Sequence, residues 1–323
     1  MAHGGDPEGV MNQLPTFVNE KVQTTQLFEN EKLNERPDEI TKPYPHKAVC
    51  LLDWAKDGKP IGTGFLAFDK DTKKMFWMSA GHNLVDLDLN PGIPNEKKIS
   101  LKDFRVRFNR TADEPVEVER KQGTCFILFD LLQDLQYDED NIQFERGSDG
   151  SSLVPDYFIA PLHIEIEAFK RLFKNISYIT ISDEFSTLDH LKPDIHILGH
   201  PISKNESCIQ RHPKAKQMLN PVDLEQCCTN EDLKNKITTV NKIFYTLSTQ
   251  EGNSGSPVLY FRQNEWKVVG IHGGGMDKGA FGQQEHVNYA EMVIPIIRNL
   301  TTKTPIPPPF GHKPPSASED IGK

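Results

Sequence analysis

A serine attacks a carbonyl carbon readily only when a base removes its proton and a carboxylate holds that base in the right tautomer. Three short stretches of the sequence supply those residue types. Glu251–Val258 reads EGNSGSPV and sets Ser254 among Gly252, Asn253 and Gly255. Glycine here permits a sharp turn that presents the serine oxygen and aims backbone N–H groups at one point. Negative charge develops at that point during acyl transfer, so the N–H groups of Gly252 and Ser254 are the expected oxyanion donors. Met78–Leu84 reads MSAGHNL and places His82, the candidate base, just after an apolar run. Asp156 opens Asp156-Tyr157-Phe158-Ile159-Ala160 and is the candidate carboxylate at a strand edge. Asp138, Asp140 and Asp149 upstream are its rivals; the apolar continuation favours Asp156. Each stretch also has a purely structural reading: a glycine turn, a histidine at a strand end, an acid capping a strand. Such chemistry requires no metal and no organic cofactor.

The elements that must position these residues read mostly as short strands. Lys47–Trp54, Gly62–Phe68, Met75–Ser79, Phe104–Phe108, Thr124–Phe129 and Asp156–Ala160 are apolar runs separated by turn residues. Ser177–Ile181, Ile195–Leu198, Thr238–Tyr245, Pro257–Phe261 and Lys267–Ile271 continue the pattern. Many short strands with regular turn signals predict an all-β barrel or sandwich. Glu291–Leu300 reads as a closing helix whose start is restricted by Pro295. The acidic stretch Asp130–Asp149 and the polar, partly basic stretch Ser203–Lys236 read as surface insertions. Residues 1–42 form a polar extension, and Lys303–Lys323, with six prolines between Pro305 and Pro315, an extended tail.

Composition narrows the setting. A chain of 323 residues, 37% of them hydrophobic, can bury a large core in one large domain or two. Its 37 basic against 46 acidic residues give a net charge of −9, which argues against a general nucleic-acid binder. The longest apolar runs, such as Cys125–Phe129, fall far short of the ~20 residues of a membrane helix. The first thirty residues lack the apolar core of a secretory signal. Five cysteines, none in C-x-x-C spacing and two of them adjacent (Cys227 and Cys228), suit free thiols in a reducing compartment. The expectation is an intracellular, most simply cytoplasmic, protein acting on neither nucleic acid nor membrane.

In the order His82, Asp156, Ser254, the three stretches resemble the chymotrypsin-fold serine endopeptidases over roughly Pro43–Thr302. The resemblance implies two six-stranded antiparallel β-barrels, about 43–165 and about 175–295, with a short C-terminal helix and the cleft between them. It also implies a polypeptide substrate. Within that family the chain is most similar to glutamyl endopeptidases. Tyr245–Val258 (YTLSTQEGNSGSPV) resembles their serine segment, and Ile197-Leu198-Gly199-His200-Pro201 resembles their Gly-aromatic-Pro strand with His200 in place of the ring. Their acidic-substrate pocket then falls on Thr249, His272 and Gly273, where an imidazole N–H and a hydroxyl can donate to a substrate carboxylate. The implied preference is Glu at P1, with Gln second, because Gly-x-His here also resembles viral proteases that read glutamine. Departures are clear: Asn83 and Gln250 stand where secreted animal members have cysteines, and Asn253 stands where trypsin-type activation needs an aspartate. The alternative within the same fold is a catalytically silent binding or regulatory module.

Overall fold

The structure is a computed structural model that describes residues 44–84, 101–109, 115–145, 155–182, 195–202, 210–219, 241–246, 249–275 and 287–302. The N-terminal extension, the Pro-rich tail, Asp149 and most of Ser203–Lys236 lie outside the described residues. Eight strands occupy the first half: β1 (Val49–Trp54), β2 (Pro60–Asp69), β3 (Lys74–Ser79), β4 (Phe104–Phe108), β5 (Cys125–Ile127), β6 (Gln143–Glu145), β7 (Tyr157–Leu162) and β8 (Ile179–Ile181). Six follow: β9 (Ile195–Gly199), β10 (Gln210–Leu219), β11 (Lys242–Thr246), β12 (Pro257–Arg262), β13 (Glu265–Gly275) and β14 (Val287–Met292). The helices are α1 (Val116–Lys121), α2 (Leu128–Asp134), α3 (Ile166–Leu172) and α4 (Val293–Thr302). None of the helices among the described residues is long and apolar enough to cross a membrane.

The fold is largely β, as the turn-punctuated apolar runs predict. Its strands form one sheet in the order β12-β9-β10-β11-β14-β13-β8-β2-β1-β4-β5, with β3 joining β2 to β7 and β6 pairing β7. Strand β12 also pairs β13. The sheet is mixed rather than purely antiparallel, and it does not close as a whole. Short β8 runs parallel to both β2 and β13, and so ties the two halves together.

Period-two alternation explains why the strands are apolar on both faces. In β3, Met75 and Trp77 point into a core within the first half, while Phe76 and Met78 point into a core shared with the second half. Strand β7 divides likewise, with Phe158, Ala160 and Leu162 on one side and Ile159 on the other. The shared core takes Leu198, Leu259, Val268 and Ile271 from the second half, whose own interior holds Ile195, Ile197, Val258, Tyr260 and Val269. A strand with an apolar residue at every position is thus one that packs inside its own half and across the junction.

Three expectations need correction. Asp130–Asp149 is not a surface insertion throughout. Leu128, Leu131, Leu132 and Leu135 form a helical stripe that is fully buried in the first core. Their i, i+3, i+4, i+7 spacing was masked by the acidic residues between them. Within Ser203–Lys236, residues 210–219 are strand β10, paired with β9 and β11, so this stretch belongs to the sheet. The closing helix starts at Val293, and Glu291 lies in β14 instead. Pro295 then falls in the first turn of α4, where a missing N–H costs no helical hydrogen bond. Leu132→Ala should lower the unfolding free energy by about 2–5 kcal/mol in urea titrations. A loss well under 1 kcal/mol would contradict α2 as part of the core.

Candidate active site

His82 lies in a single helical turn, Gly81–Leu84, that leaves the end of β3. Asp156 lies one residue ahead of β7, the strand that pairs with β3, so the ladder Ser79↔Phe158 brings the two residues together. The Asp156 carboxylate holds His82 at two points. Its Oδ2 is 2.6 Å from His82 Nδ1, and its Oδ1 accepts the His82 backbone N–H at 2.9 Å. This contact sets Nδ1 toward the carboxylate, with Nε2 on the opposite side of the ring. Burial by itself pushes the Asp156 carboxyl upward; the His82 charge and hydrogen bonds, with Lys242 beyond, outweigh it and hold the group below its ordinary 3.8. Of the sequence rivals, Asp138 instead faces His163 and Asn141, at 3.2 and 2.9 Å.

Ser254 sits in the turn between β11 and β12, against the segment that carries His82. Its carbonyl accepts hydrogen bonds from Asn83 Nδ2 at 2.8 Å and from the Thr63 backbone N–H at 2.9 Å. The Ser254 hydroxyl lies 3.5 Å from the Gly273 carbonyl, at the outer limit of a hydrogen bond. The turn around it needs two glycines in the left-handed region: Gly252 at φ +95° and Gly255 at φ +85°. Side chains there would also collide with the carbonyls of His200 and Thr63, at 2.4 and 2.1 Å.

The orientation of this turn is set by what its carbonyls bind. Glu251 O accepts the Ile202 N–H at 2.6 Å, and Asn253 O accepts the Ser256 N–H at 2.9 Å. In a trans peptide the C=O and N–H point in opposite directions. The N–H groups of Gly252 and Ser254 are therefore turned away from those anchors. Among the described residues, no hydrogen bond takes up either group. Thr63 is the clamp behind the turn. Its hydroxyl donates to Gly252 O at 2.8 Å and accepts the His200 N–H at 3.0 Å. Its carbonyl accepts the Ser79 hydroxyl at 2.8 Å. Asn83 completes the network by donating to Ser79 Oγ at 3.1 Å.

The residues expected to read the substrate lie on the other side of the serine turn. Gly255 N–H donates to His272 O at 2.7 Å, and His272 N–H donates to Ser256 O at 2.8 Å, so β13 is stitched to the turn. The His272 ring is buried, with Nδ1 2.6 Å from the Tyr245 hydroxyl. Thr249 is buried too, and its hydroxyl donates to Asn288 Oδ1 at 3.3 Å. Tyr245 and Asn288 are direct cross-strand partners of β11 and β14. They join His272 to Thr249. Gly273 follows on β13, where the Tyr289 ring would lie 2.2 Å from any Cβ. Among the described residues, no group of three or more His, Cys, Asp or Glu side chains could hold a metal ion.

Sequence reasoning did not find Thr63, Tyr245 or Asn288. Thr63 sits in Gly62-Thr63-Gly64, which signals nothing beyond a strand with glycines. Tyr245 reads as an ordinary strand residue, and Asn288 falls in a stretch to which the sequence assigns no element. Their contacts exist only because β11, β13 and β14 are adjacent. No protein-family model matches the chain, and no curated protein matches it either.

Because the fold depresses the Asp156 carboxyl, its ionised form stabilises the native state at pH values above 3.8. That contribution is lost as pH falls through the lower folded value. In urea unfolding from about pH 6 down to about pH 2, Asp156→Asn should show a shallower loss of stability than the wild type. Equal slopes would mean that the carboxylate is not held in its ionised form by His82.

Proposed function

We propose that the chain is a serine endopeptidase that works through an acyl-enzyme, with the chymotrypsin-like double barrel as its architecture. The observation that carries this reading is the two-point grip of Asp156 on His82, beside a serine turn in which the Gly252 and Ser254 N–H groups point away from the anchored Glu251 and Asn253 carbonyls. Ser254 attacks the scissile carbonyl while His82 Nε2 takes its proton. Asp156 keeps the ring in the Nε2-basic tautomer and stabilises the cation that forms. The Gly252 and Ser254 N–H groups donate to the oxyanion, each at about 3–4 kcal/mol in comparable sites. His82 returns its proton to the leaving amine, and water then releases the acyl group by the same steps in reverse.

Substrate choice falls to the His272 group. With Nδ1 on the Tyr245 hydroxyl, the imidazole can present Nε2–H to a P1 side chain. Thr249 has one proton to give, which it turns from Asn288 to the P1 side chain when a substrate binds. A P1 carboxylate accepts both donors and is the first choice; a P1 carboxamide accepts through its oxygen alone and is the second. The enzyme acts on polypeptides inside the cell, most simply in the cytoplasm.

Cleavage of a positional peptide library, with Ser254→Ala alongside, tests the reading directly. The wild type should hydrolyse peptides after Glu, then Gln, and should be labelled at Ser254 by an active-site serine reagent. Ser254→Ala should lose both properties. Hydrolysis retained by Ser254→Ala sinks the assignment, and a wild type that neither cleaves nor labels is the silent binding module. Tyr245→Phe should cost about ten-fold in kcat/KM on P1 Glu and Gln peptides. Peptides with small P1 residues should be unaffected, and an equal loss on every substrate would make His272 a structural residue.

A further inference from the structure

Asp156 has a second attachment, which lies in the other half of the chain. Its backbone N–H stands one residue ahead of β7 and is buried, so it requires an acceptor. Glu291 Oε1 of β14 accepts it at 2.9 Å. Lys242 of β11, the direct cross-strand partner of Glu291, forms an ion pair with the same oxygen. The two side chains are only 1% and 4% exposed. Lys242 Nζ also lies 4.5 Å from the centre of the Tyr289 ring, the ring that Gly273 packs against.

A buried ion pair is an expensive way to hold two strands together, since apolar residues of the same size commonly do it as well or better. What apolar residues cannot do is accept the Asp156 N–H. A lone Glu291 carboxylate could accept it, but it would also repel the Asp156 carboxylate that orients His82. Burial does push the Glu291 carboxyl upward, against the pull of Lys242 and of the Asp156 N–H. Lys242 neutralises Glu291 where it stands. The acceptor is thereby supplied without a second net charge beside the triad.

Resting on the triad proposed above, we infer that Glu291, held by Lys242, is a positioning residue that fixes the Asp156 backbone and so the place of the carboxylate that aligns His82. The catalytic carboxylate is carried by the first half and set in position by the second.

Two double variants separate this role from packing, because both remove the charges and differ only in the acceptor. Lys242→Met/Glu291→Gln keeps an oxygen for the Asp156 N–H and should keep most of the wild-type kcat. Lys242→Met/Glu291→Leu lacks it and should lose roughly ten- to a hundred-fold in kcat with KM unchanged. In the same proteins the low-field NMR resonance of the His82 Nδ1 proton should persist with Gln and weaken or vanish with Leu. Equal kcat values and equal resonances in the two variants overturn the proposal. The resonance is recorded without substrate, so it decides the role of Glu291 even if the wild type hydrolyses nothing and Ser254 is not labelled, the result that would sink the peptidase reading. Should the leucine variant fail to fold, Glu291→Asp with Lys242 intact replaces it. Its shorter side chain withdraws the acceptor, and an undiminished kcat would again overturn the proposal.

Discussion

A carboxylate with only 2% of its side chain exposed has to be neutralised where it stands, and much of this structure answers that requirement at Asp156. Oδ1 and Oδ2 both go to His82. The backbone N–H goes to Glu291, whose own charge is met by Lys242. Four residues from four separate elements therefore have to arrive together. The pairing of β3 with β7 brings the first two, and the pairing of β11 with β14 brings the others. The shared apolar core, built from alternate residues of β3, β7, β12 and β13, holds the two pairs against each other. Removing any one element leaves a buried charge uncompensated, which costs far more than the loss of an equal apolar contact.

The serine turn obeys a related constraint on the backbone. Its peptides are buried, so each carbonyl must find a donor, and the donors come from both halves. Thr63 and Asn83 of the first half hold the carbonyls of Gly252 and Ser254, while Ile202 of the second half holds that of Glu251. The Gly252 and Ser254 N–H groups point away from the anchors of the Glu251 and Asn253 carbonyls, which belong to the same peptides. On the proposed reading, an oxyanion site would be a by-product of ordinary hydrogen-bond accounting. The links from Gly255 and Ser256 to His272 extend the same accounting to the strand proposed to read the P1 residue.

Much of this was legible in the residues themselves. Ser254 between permissive glycines, His82 after an apolar run and Asp156 before another are local signals, because the chemistry restricts residue type and the strands restrict placement. Each of the eleven apolar runs contains a strand, but Leu128 and Phe129 of Thr124–Phe129 already belong to α2, and residues 238–240 lie outside the described residues. Strand β10 and the leucine stripe of α2 were obscured, because polar residues dominate both stretches and composition outweighed spacing. Strand β14 was partly read as the start of a helix, since Val287–Met292 runs straight into α4 with no turn residue between them. Two separate antiparallel barrels were expected. The parallel pairings of β8 were not legible, because three residues of strand carry no signal of which neighbours they will join.

By itself, then, the sequence determined which residue types could do chemistry, their order along the chain, and a largely β fold with apolar residues on both strand faces. Those properties depend on local spacing and on the two-residue period of a strand. Tertiary structure alone decided that Asp156, and not Asp138, meets His82, and that Tyr245 backs His272. It also decided that Thr63 clamps the serine turn and that a lysine and a glutamate stand behind the carboxylate. Each of these contacts joins residues far apart in the chain. Whether they meet depends on which strands lie side by side, and that is settled by how the apolar faces of both halves can be buried together.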